Sequence, residues 1–349
     1  MHGTSASATP AADERSSILV STPNPDNQSK TDVPGPAPLR PLVVVAGPTA
    51  AGKTDLGIAL AKRFGGEVVN ADSRYLYRGL DIGVSKPALA ERSGIPHHLI
   101  DILDPDETMT LARYQDLALE AIAAVHARGS LPLLVGGTPL YVKALVEGWR
   151  IPRVPPDPAF RAEHEAAVSA GDLPRLVERL NLVDPVAAAR SAQNPRRVIR
   201  ALEIHHATGR PMSELEGKGP RPFRTLELGL TLPRERLHSA IDVRVADQIR
   251  RGLVDEVRGL LAAGVSPDSP AMSSLGYRQL FPFLRGDASL EQATYQIKVD
   301  THRYVRHQET WLRKNPNLVA VDVTRAGWRE EAVRMVEAFV SAGDSGRTH

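Results

Sequence analysis

The stretch "GPTAAGKT" (Gly47–Thr54) follows the apolar run "LVVVA" and precedes a segment with helical periodicity. It fits the pattern G-x-x-x-x-G-K-[ST], and the strand before it and the helix after it are the context in which that pattern forms a phosphate-binding loop. Such a loop holds phosphate oxygens with backbone N–H groups, a helix N-terminus, a lysine and a hydroxyl suited to Mg²⁺. We therefore predict that a di- or triphosphate contacts Gly47, Pro48, Thr49, Ala50, Ala51, Gly52, Lys53 and Thr54, with Mg²⁺ on Thr54.

Strand and helix patterns alternate on either side of this loop. The strand "LVVVAG" and the helix "KTDLGIALAKRFG" are followed by the strand patterns "EVVNAD", "HHLIDI" and "LPLLVGG", with a helix from Thr110 to Arg128 before the last of them. Such alternation implies right-handed crossovers and a parallel sheet covered on both faces. We therefore predict an α/β protein with a P-loop NTPase-like parallel sheet flanked by helices.

The alternation stops after Gly148 and resumes later. The Pro-rich "RIPRVPPDP" is followed by helix patterns to about Gly209, and the strand patterns "TLELGLTL" and "NLVAVDV" then flank helices from about Pro233 to Arg313. Residues 1–40 carry too little apolar surface to order. The predicted parts are a disordered tail (1–40), a first core part (41–147), a small all-helical insert (148–222), a second core part with a long basic helix (223–342) and a disordered end (343–349).

The composition is that of an ordinary globular protein without cysteine. Its 43 basic and 41 acidic side chains give a net charge of +2, which neither demands nor excludes a nucleic-acid partner. The lack of cysteine excludes disulfides, thiolate metal sites and a cysteine nucleophile. No apolar run is long enough for a membrane helix, so we expect a cytoplasmic protein with no membrane partner. We also expect a monomer. For His97 and His98 we expect local hydrogen bonds rather than metal binding.

The second strand pattern ends in an acid, and the fourth does not. A nucleotide hydrolase usually ends another strand with an Asp that helps to hold the metal, but "LLVGGT" carries no carboxylate. Asp72 lies instead in "NADSRYLY", beside hydroxyl groups. The pattern therefore predicts a phosphate-binding loop without evident machinery for activating water, and a carboxylate that can accept a proton or touch the metal.

Several segments together resemble the tRNA dimethylallyltransferase (isopentenyltransferase) family. The resemblance runs from about Leu42 to about Asp322, and the order and combination of its motifs are far more specific than the phosphate loop alone. Its segments are "GPTAAGKT" (47–54), "NADSRYLYRGLDIGVSKP" (70–87), "PHHLIDILDP" (96–105), "LLVGGTPLYVKALVEG" (133–148), "NPRRVIRALEI" (194–204), "GLVDEVRGLL" (252–261) and "THRYVRHQETWLR" (301–313).

The resemblance implies transfer of a dimethylallyl group from dimethylallyl diphosphate to N6 of adenosine 37, beside the anticodon of tRNA. Diphosphate would then be a leaving group, stabilised by Lys53, by Mg²⁺ on Thr54 and by the loop amides. This explains the missing acid after "LLVGG" better than a kinase does. The helical insert would serve tRNA binding.

The resemblance also implies roles for three residues outside the loop. Asp72 would be the base that takes the N6 proton, although "ADS" also suits a helix cap or turn. Thr138 would touch the tRNA near the target base, and it also suits the N-cap of the following helix, with Pro139 at the first helical position. Arg244 would contact the diphosphate, with a solvated helix charge as the equal alternative.

Two basic runs are candidates for RNA binding. In one, Arg196, Arg197 and Arg200 match a family segment that grips the anticodon stem. In the other, a helix from Glu291 to Lys314, helical spacing gathers Tyr295, Lys298, His302, Arg306 and Arg313 in one arc that also contains Glu309. A solvated helix face is the alternative for either run alone. The full set of expected tRNA contacts is Asp72, Ser73, Arg74, Tyr75, Thr138, Arg161, Arg196, Arg197, Val198, Ile199 and Arg200.

The chain departs from the family pattern at two points. Tyr75 stands where many members have a glutamine, and a phenol can stack or donate one hydrogen bond but cannot pair bidentately with adenine. In the last helix, His302 and "RHQ" replace an arginine and "KRQ". Both departures weaken the transfer of residue roles at those positions.

Three other functions compete with tRNA prenylation. Relatives that prenylate free AMP, ADP or ATP need neither the basic runs nor the insert. A P-loop small-molecule kinase would share the loop and the Mg²⁺ requirement. A non-catalytic RNA-binding module would leave the phosphate loop without a purpose.

Overall fold

A six-stranded parallel sheet forms the centre of the computed structural model, which describes residues 39–344 and their side chains through residue 342. The strands of the protein are β1 (Pro41–Ala46), β2 (Gly66–Asn70), β3 (His97–His98), β4 (Leu131–Gly136), β5 (Trp149–Arg150), β6 (Gly217–Lys218), β7 (Arg224–Thr231) and β8 (Leu318–Asp322). Their order in the parallel sheet is β3-β2-β4-β1-β7-β8, and a separate antiparallel pair is formed by β5 and β6.

Helices cover both faces of the sheet and fill the insert. In the described residues they are α1 (Lys53–Phe64), α2 (Leu111–Ala127), α3 (Pro139–Val146), α4 (Pro158–Ser169), α5 (Leu173–Val183), α6 (Pro185–Ser191), α7 (Pro195–Thr208), α8 (Met212–Leu215), α9 (Arg234–Arg250), α10 (Leu253–Ala262), α11 (Phe281–Leu284), α12 (Leu290–Arg313) and α13 (Trp328–Asp344). A 3₁₀ turn, Arg278–Leu280, precedes α11.

The apolar residues of β1 explain why the sheet is covered on both sides. Because side chains alternate along a strand, Leu42 and Val44 pack in one buried cluster with residues of α2 and α3. Val43 and Val45 pack in a second cluster with residues of α1 and α13. The predicted α/β class, with a parallel sheet flanked by helices, is confirmed.

Helices α4 to α8 lie in sequence between β5 and β6 and have their own small core. Its buried residues include Leu176, Leu180, Val198 and Leu202. The antiparallel pair β5–β6 joins the two ends of this helical segment. The sequence predicts the helices but not this pair, because two-residue strands have no detectable period.

Two other elements differ from the sequence predictions. The predicted strand "HHLIDI" is a strand only at His97–His98, because Leu99 and Asp101 have positive φ angles of 61° and 57° that end the extended backbone. The last helix, α13, is not predicted from its sequence, and it covers the sheet through Ala332 and Val336. Of the two predicted disordered ends, residues 1–38 and 345–349 lie outside the described residues.

Two kinds of feature are absent from the described residues. In residues 39–344, no helix is both long and apolar enough to cross a bilayer. The same residues contain no group of three or more His, Cys, Asp or Glu that could hold a metal ion. The His97 Nδ1 lies 2.8 Å from the Ile95 carbonyl oxygen, and the His98 Nε2 lies 2.7 Å from Glu67.

Candidate active site

The phosphate loop owes its shape to the backbone that joins β1 to α1. Ala50 and Gly52 have positive φ angles of 67° and 84°, which turn the chain sharply before Lys53 begins the helix. Gly47 has no room for a side chain, since a Cβ there would lie 3.0 Å from the Leu230 Cβ. The loop thus combines a curved backbone with a helix N-terminus, as polyphosphate binding requires.

Lys53 is a half-buried cation at this loop. Its Nζ donates to the Pro48 carbonyl oxygen at 2.8 Å. Burial lowers the pKa of Lys53 to about 8; the Asp72 carboxylate opposes that shift and the Arg244 guanidinium adds to it. A bound anion would favour the protonated amine. Lys53 therefore carries a positive charge suited to an anionic ligand.

Asp72 begins a tight turn at the end of β2. Its N–H donates to the Asn70 Oδ1 at 2.8 Å, and its Oδ1 accepts from the Arg74 N–H at 2.9 Å. The Asn70 Nδ2 in turn donates to the Asp72 carbonyl oxygen and to the Leu99 carbonyl oxygen, both at 2.9 Å. The carboxylate is half-buried. Asp72 therefore is a turn residue, as one alternative proposed, while it also borders the cavities described below.

The end of β4 and the loop that follows it pack closely against this turn. A Cβ on Gly136 would lie 2.1 Å from the Ala71 carbonyl carbon, so only glycine fits. Thr138 holds the N-cap position of α3, but its hydroxyl makes no cap and instead accepts from the Ser73 N–H at 3.0 Å. The predicted N-cap position of Thr138, with Pro139 in the first turn, is therefore confirmed, without a capping hydrogen bond from the side chain. The close approach also explains the missing acid after "LLVGG", because that strand end supports the Asp72 turn.

Two cavities meet beside Asp72. The first, about 540 Å³, contains the phosphate loop, and the second, about 440 Å³, lies between the Asp72 turn, α9 and α12. Thr49, Asp72 and Arg244 line both of them. The first cavity also receives Lys53, Thr54, Asp55, Tyr75, Ser85 and Lys86.

The second cavity has a cationic and partly aromatic wall. The Arg74 Nη1 donates to the Pro270 carbonyl oxygen at 3.0 Å, which holds that side chain in the wall. Tyr304 stands on α12 with 38% of its area exposed. The other polar residues of the wall are Ser73, Gln248, Ser273, Arg278, Asp300, Thr301, Arg303 and His307. Arginines and an aromatic ring around a cavity are the groups that hold single-stranded RNA bases and phosphates.

Helix α12 presents a different face to the cavity from the predicted basic arc. His302, in the middle of that arc, stacks on His238 with ring centroids 4.1 Å apart, and its Nε2 lies 3.0 Å from Asp242. His302 therefore packs on α9, whereas Tyr295, Arg306 and Arg313 of the same arc are exposed. The cavity face comprises Asp300, Arg303, Tyr304 and His307, which sequence reasoning missed. Their i, i+3, i+4, i+7 spacing places them on one face of the helix and can be read from the sequence. The spacing does not show which of two polar faces packs against a neighbouring helix.

Tyr75 and Arg244 both lie at the first cavity. The Tyr75 hydroxyl donates to the Ser85 carbonyl oxygen at 2.8 Å and lies beside the Thr54 side chain. Burial raises the pKa of Tyr75 to about 12, so it remains a donor at neutral pH. The Arg244 Nη2 donates to the Val84 carbonyl oxygen at 2.6 Å. Tyr75, expected at the tRNA, is thus on the phosphate side, and Arg244 is not merely a solvated charge.

The expected tRNA residues of the insert divide into three groups. Arg161 pairs bidentately with the buried Glu203 at 2.8 Å, and Arg200 pairs with the same carboxylate at 2.5 Å. Val198 and Ile199 are buried, so their side chains pack inside the protein and cannot contact RNA. The remaining two, Arg196 and Arg197, are exposed. None of these six lines either cavity.

These placements give the arginines of the insert different surroundings. Glu203 is held in its charged form by both arginines and by the Asp157 N–H, and its pKa is lowered although burial opposes that shift. Arg161 and Arg200 therefore neutralise a buried carboxylate of the insert. The exposed pair Arg196 and Arg197 remains available for phosphate contacts.

Comparisons with known proteins agree on one family. A family model described as IPP transferase matches residues 75–315. The chain is 56% identical over 299 residues to a tRNA dimethylallyltransferase of Thermomicrobium roseum, covering 85% of this chain and 91% of the relative. It is 47% identical over 303 residues to a tRNA dimethylallyltransferase of Roseiflexus sp., covering 86% and 99%.

Solved structures give the same result. The full-length tRNA isopentenylpyrophosphate transferase of Bacillus halodurans matches with a TM-score of 0.66 and 37% identity, over 89% of this chain and 99% of that one. A eukaryotic dimethylallyltransferase acting on tRNA matches with a TM-score of 0.73 and 27% identity, over 87% and 80%.

Proposed function

Because this chain belongs to the IPP transferase family, we propose that it transfers a dimethylallyl group from dimethylallyl diphosphate to N6 of adenosine 37 of tRNA. The observation that carries this proposal is the meeting of the two cavities at Thr49, Asp72 and Arg244. One cavity has the groups for a diphosphate and the other has the groups for a base. Prenyl transfer requires this arrangement, because the amine attacks the prenyl carbon while the diphosphate leaves the same carbon. The two groups must therefore lie in neighbouring spaces.

The donor half of the reaction belongs to the first cavity. The bond between the prenyl carbon and the diphosphate oxygen breaks, and the electron pair leaves with the diphosphate. Lys53, Arg244 and the loop amides would stabilise that charge. Thr54 would hold Mg²⁺, which fits the site because Mg²⁺ takes few protein ligands and completes its shell with phosphate oxygens and water. When bound, the metal would neutralise charge on the leaving group.

The acceptor half belongs to the second cavity. The adenine N6 attacks the prenyl carbon, a carbon–nitrogen bond forms, and the amine loses one proton. Asp72 borders both cavities and would take that proton. The Thr138 hydroxyl supports this role indirectly, since it holds the Ser73 N–H next to Asp72. Arg74, Arg303 and Tyr304 would hold the base and its neighbours.

The remaining features concern the partner and the assembly. We propose that the working unit is a monomer. A tRNA substrate supports a cytoplasmic site of action. The exposed Arg196 and Arg197 would contact the anticodon stem.

The test is mass spectrometry of nucleosides from unmodified tRNA that has been treated with the protein, Mg²⁺ and dimethylallyl diphosphate. We expect a nucleoside heavier than adenosine by one dimethylallyl group, and we expect it at position 37. An identical reaction with AMP in place of tRNA, and another with labelled ATP as donor, test the two competing activities. Modified AMP with unmodified tRNA, or transfer of labelled phosphate without prenyl transfer, would overturn the proposal.

A double charge reversal, Arg196→Glu with Arg197→Glu, should weaken binding of an anticodon stem-loop and reduce its salt dependence. Each lost phosphate contact removes about one released counterion, so the slope of log affinity against log salt should fall by about two. Fluorescence anisotropy across a salt titration measures this. Diphosphate affinity and the melting temperature should be unchanged, because both side chains are exposed. An unchanged slope would mean that RNA binds another face of the insert.

A further inference from the structure

Gln308 is a buried side chain of α12 that uses both ends of its amide. Its Oε1 accepts from the Thr49 N–H at 2.9 Å, and its Nε2 donates to the Gly137 carbonyl oxygen at 2.8 Å. Only 3% of the residue is exposed. Gln308 thus joins three parts of the chain: α12, the phosphate loop and the loop after β4.

Both loops held by this amide border the place where the two cavities meet. Thr49 lines both cavities. Gly137 precedes Thr138, whose hydroxyl holds the Ser73 N–H beside Asp72. One glutamine amide therefore links the phosphate loop to the loop that supports the Asp72 turn.

Close packing around the Gln308 amide is a second observation that links α12 to the loop after β4. A Cβ on Gly137 would lie 2.7 Å from the Gln308 Nε2, and 3.5 Å from both the Gly47 carbonyl oxygen and the Lys53 Cε. The amide therefore occupies the room that any larger residue at position 137 would take. The second glycine of "GGT" is explained by this contact, as the first is explained by the contact of Gly136 with Ala71.

We propose that Gln308 is a positioning residue that sets the separation between the phosphate loop and the Asp72 carboxylate. The proposal rests on the proposed function. Gln308 acts through Thr49 and Gly137 and lines neither cavity. Because the prenyl carbon must lie within bonding reach of N6 while its diphosphate stays in the loop, a small loosening of the two loops slows the chemical step more than it weakens either substrate.

Replacing Gln308 by Leu keeps the approximate size and removes both hydrogen bonds, together with the polar contact of the amide with the Tyr304 hydroxyl. We expect single-turnover prenyl transfer to fall by about 10²-fold. The affinities for pyrophosphate and for an anticodon stem-loop should change far less. Gln292→Leu is the matched control, since Gln292 lies on the same helix and bonds only its own cap at Ser289. A comparable loss of stem-loop affinity would show instead that Gln308 acts on RNA binding through Tyr304, and would overturn the proposal.

A second variant tests this bridge, the pair of hydrogen bonds from Gln308 to Thr49 and to Gly137, from the Gly137 side. Gly137→Ala should displace the Gln308 amide and reproduce the slow transfer. Combined with Gln308→Leu, it should add little, because the two changes break the same connection. Full additivity of the two rate losses would contradict the proposed bridge.

Hydrogen exchange measures the hydrogen bond between Gln308 and Thr49 directly and does not require an assay of prenyl transfer. In the wild type the Thr49 amide is protected by its bond to Gln308, so a peptide covering residues 47–54 should exchange faster in Gln308→Leu at an unchanged melting temperature. Unchanged exchange would overturn the positioning role even if transfer is slow. If the wild type itself transfers no prenyl group, the proposed function fails, while the exchange result still reports on the bridge.

Discussion

Replacing Asp72 by Asn is expected to slow the chemical step by about 10²-fold or more. The amide keeps the size of the side chain and can still accept from the Arg74 N–H through its oxygen, so the turn should survive. It cannot take a proton from the adenine amine. Affinities for the stem-loop and for pyrophosphate should therefore stay close to those of the wild type.

Single-turnover transfer across a magnesium titration separates the three roles open to Asp72. A slow rate at all magnesium concentrations supports the base. Recovery at high magnesium would assign Asp72 to the metal, and a wild-type rate at ordinary magnesium would assign it to the turn alone. Asp104→Asn is the matched control, because it makes the same change in the same β2–α2 connection. Asp104 pairs with Arg78 outside both cavities.

Lys53→Ala is expected to lower prenyl transfer by about 10²- to 10³-fold, the usual cost of losing one group that stabilises developing negative charge. The variant should bind pyrophosphate more weakly and the stem-loop normally, because Lys53 lines only the first cavity. Its melting temperature should not fall much, since burial disfavours the charged amine and lowers its pKa. Calorimetry with pyrophosphate, single-turnover transfer and a thermal melt measure the three quantities.

The control for Lys53 is Lys62→Ala, which removes an exposed lysine from the last turn of the same helix. It should leave transfer and both affinities unchanged. If Lys53→Ala lost stem-loop affinity as strongly as pyrophosphate affinity, the separation of a donor cavity from an acceptor cavity would be wrong.

Much of the fold could be predicted because its signals are local. The run "LVVVA" has apolar residues on both faces, so it needs cover on both sides, and "GPTAAGKT" has the glycines that a curved phosphate loop requires. The helix from Thr110 to Arg128 was predicted to within a residue because Thr110 is a strong cap, which accepts from the Arg113 N–H. The two-residue strands β5 and β6 have no detectable local signal, whereas α13 carries an amphipathic pattern that sequence reasoning missed.

The RNA-facing residues were harder to predict, because exposure depends on which neighbour packs against a helix. Arg196 and Arg200 have the same side chain and lie one turn apart on α7. The buried Glu203 engages Arg200 and leaves Arg196 at the surface, and Glu203 gives no sign of burial in the sequence. Likewise, the packing of α12 on α9 encloses His302 and turns Tyr304 towards the cavity.

By itself the sequence determined the phosphate loop, the α/β class and Asp72 as the carboxylate to test, because each depends on residues adjacent in the chain or on the family's motifs. Only the tertiary structure decided where the groups meet. It brings Thr49, Asp72 and Arg244 to one junction, moves Tyr75 to the phosphate side, and ties Gln308 to a loop 259 positions away. The physical reason is that hydrogen bonds and packing between distant segments select one face of each helix, and local periodicity cannot make that choice.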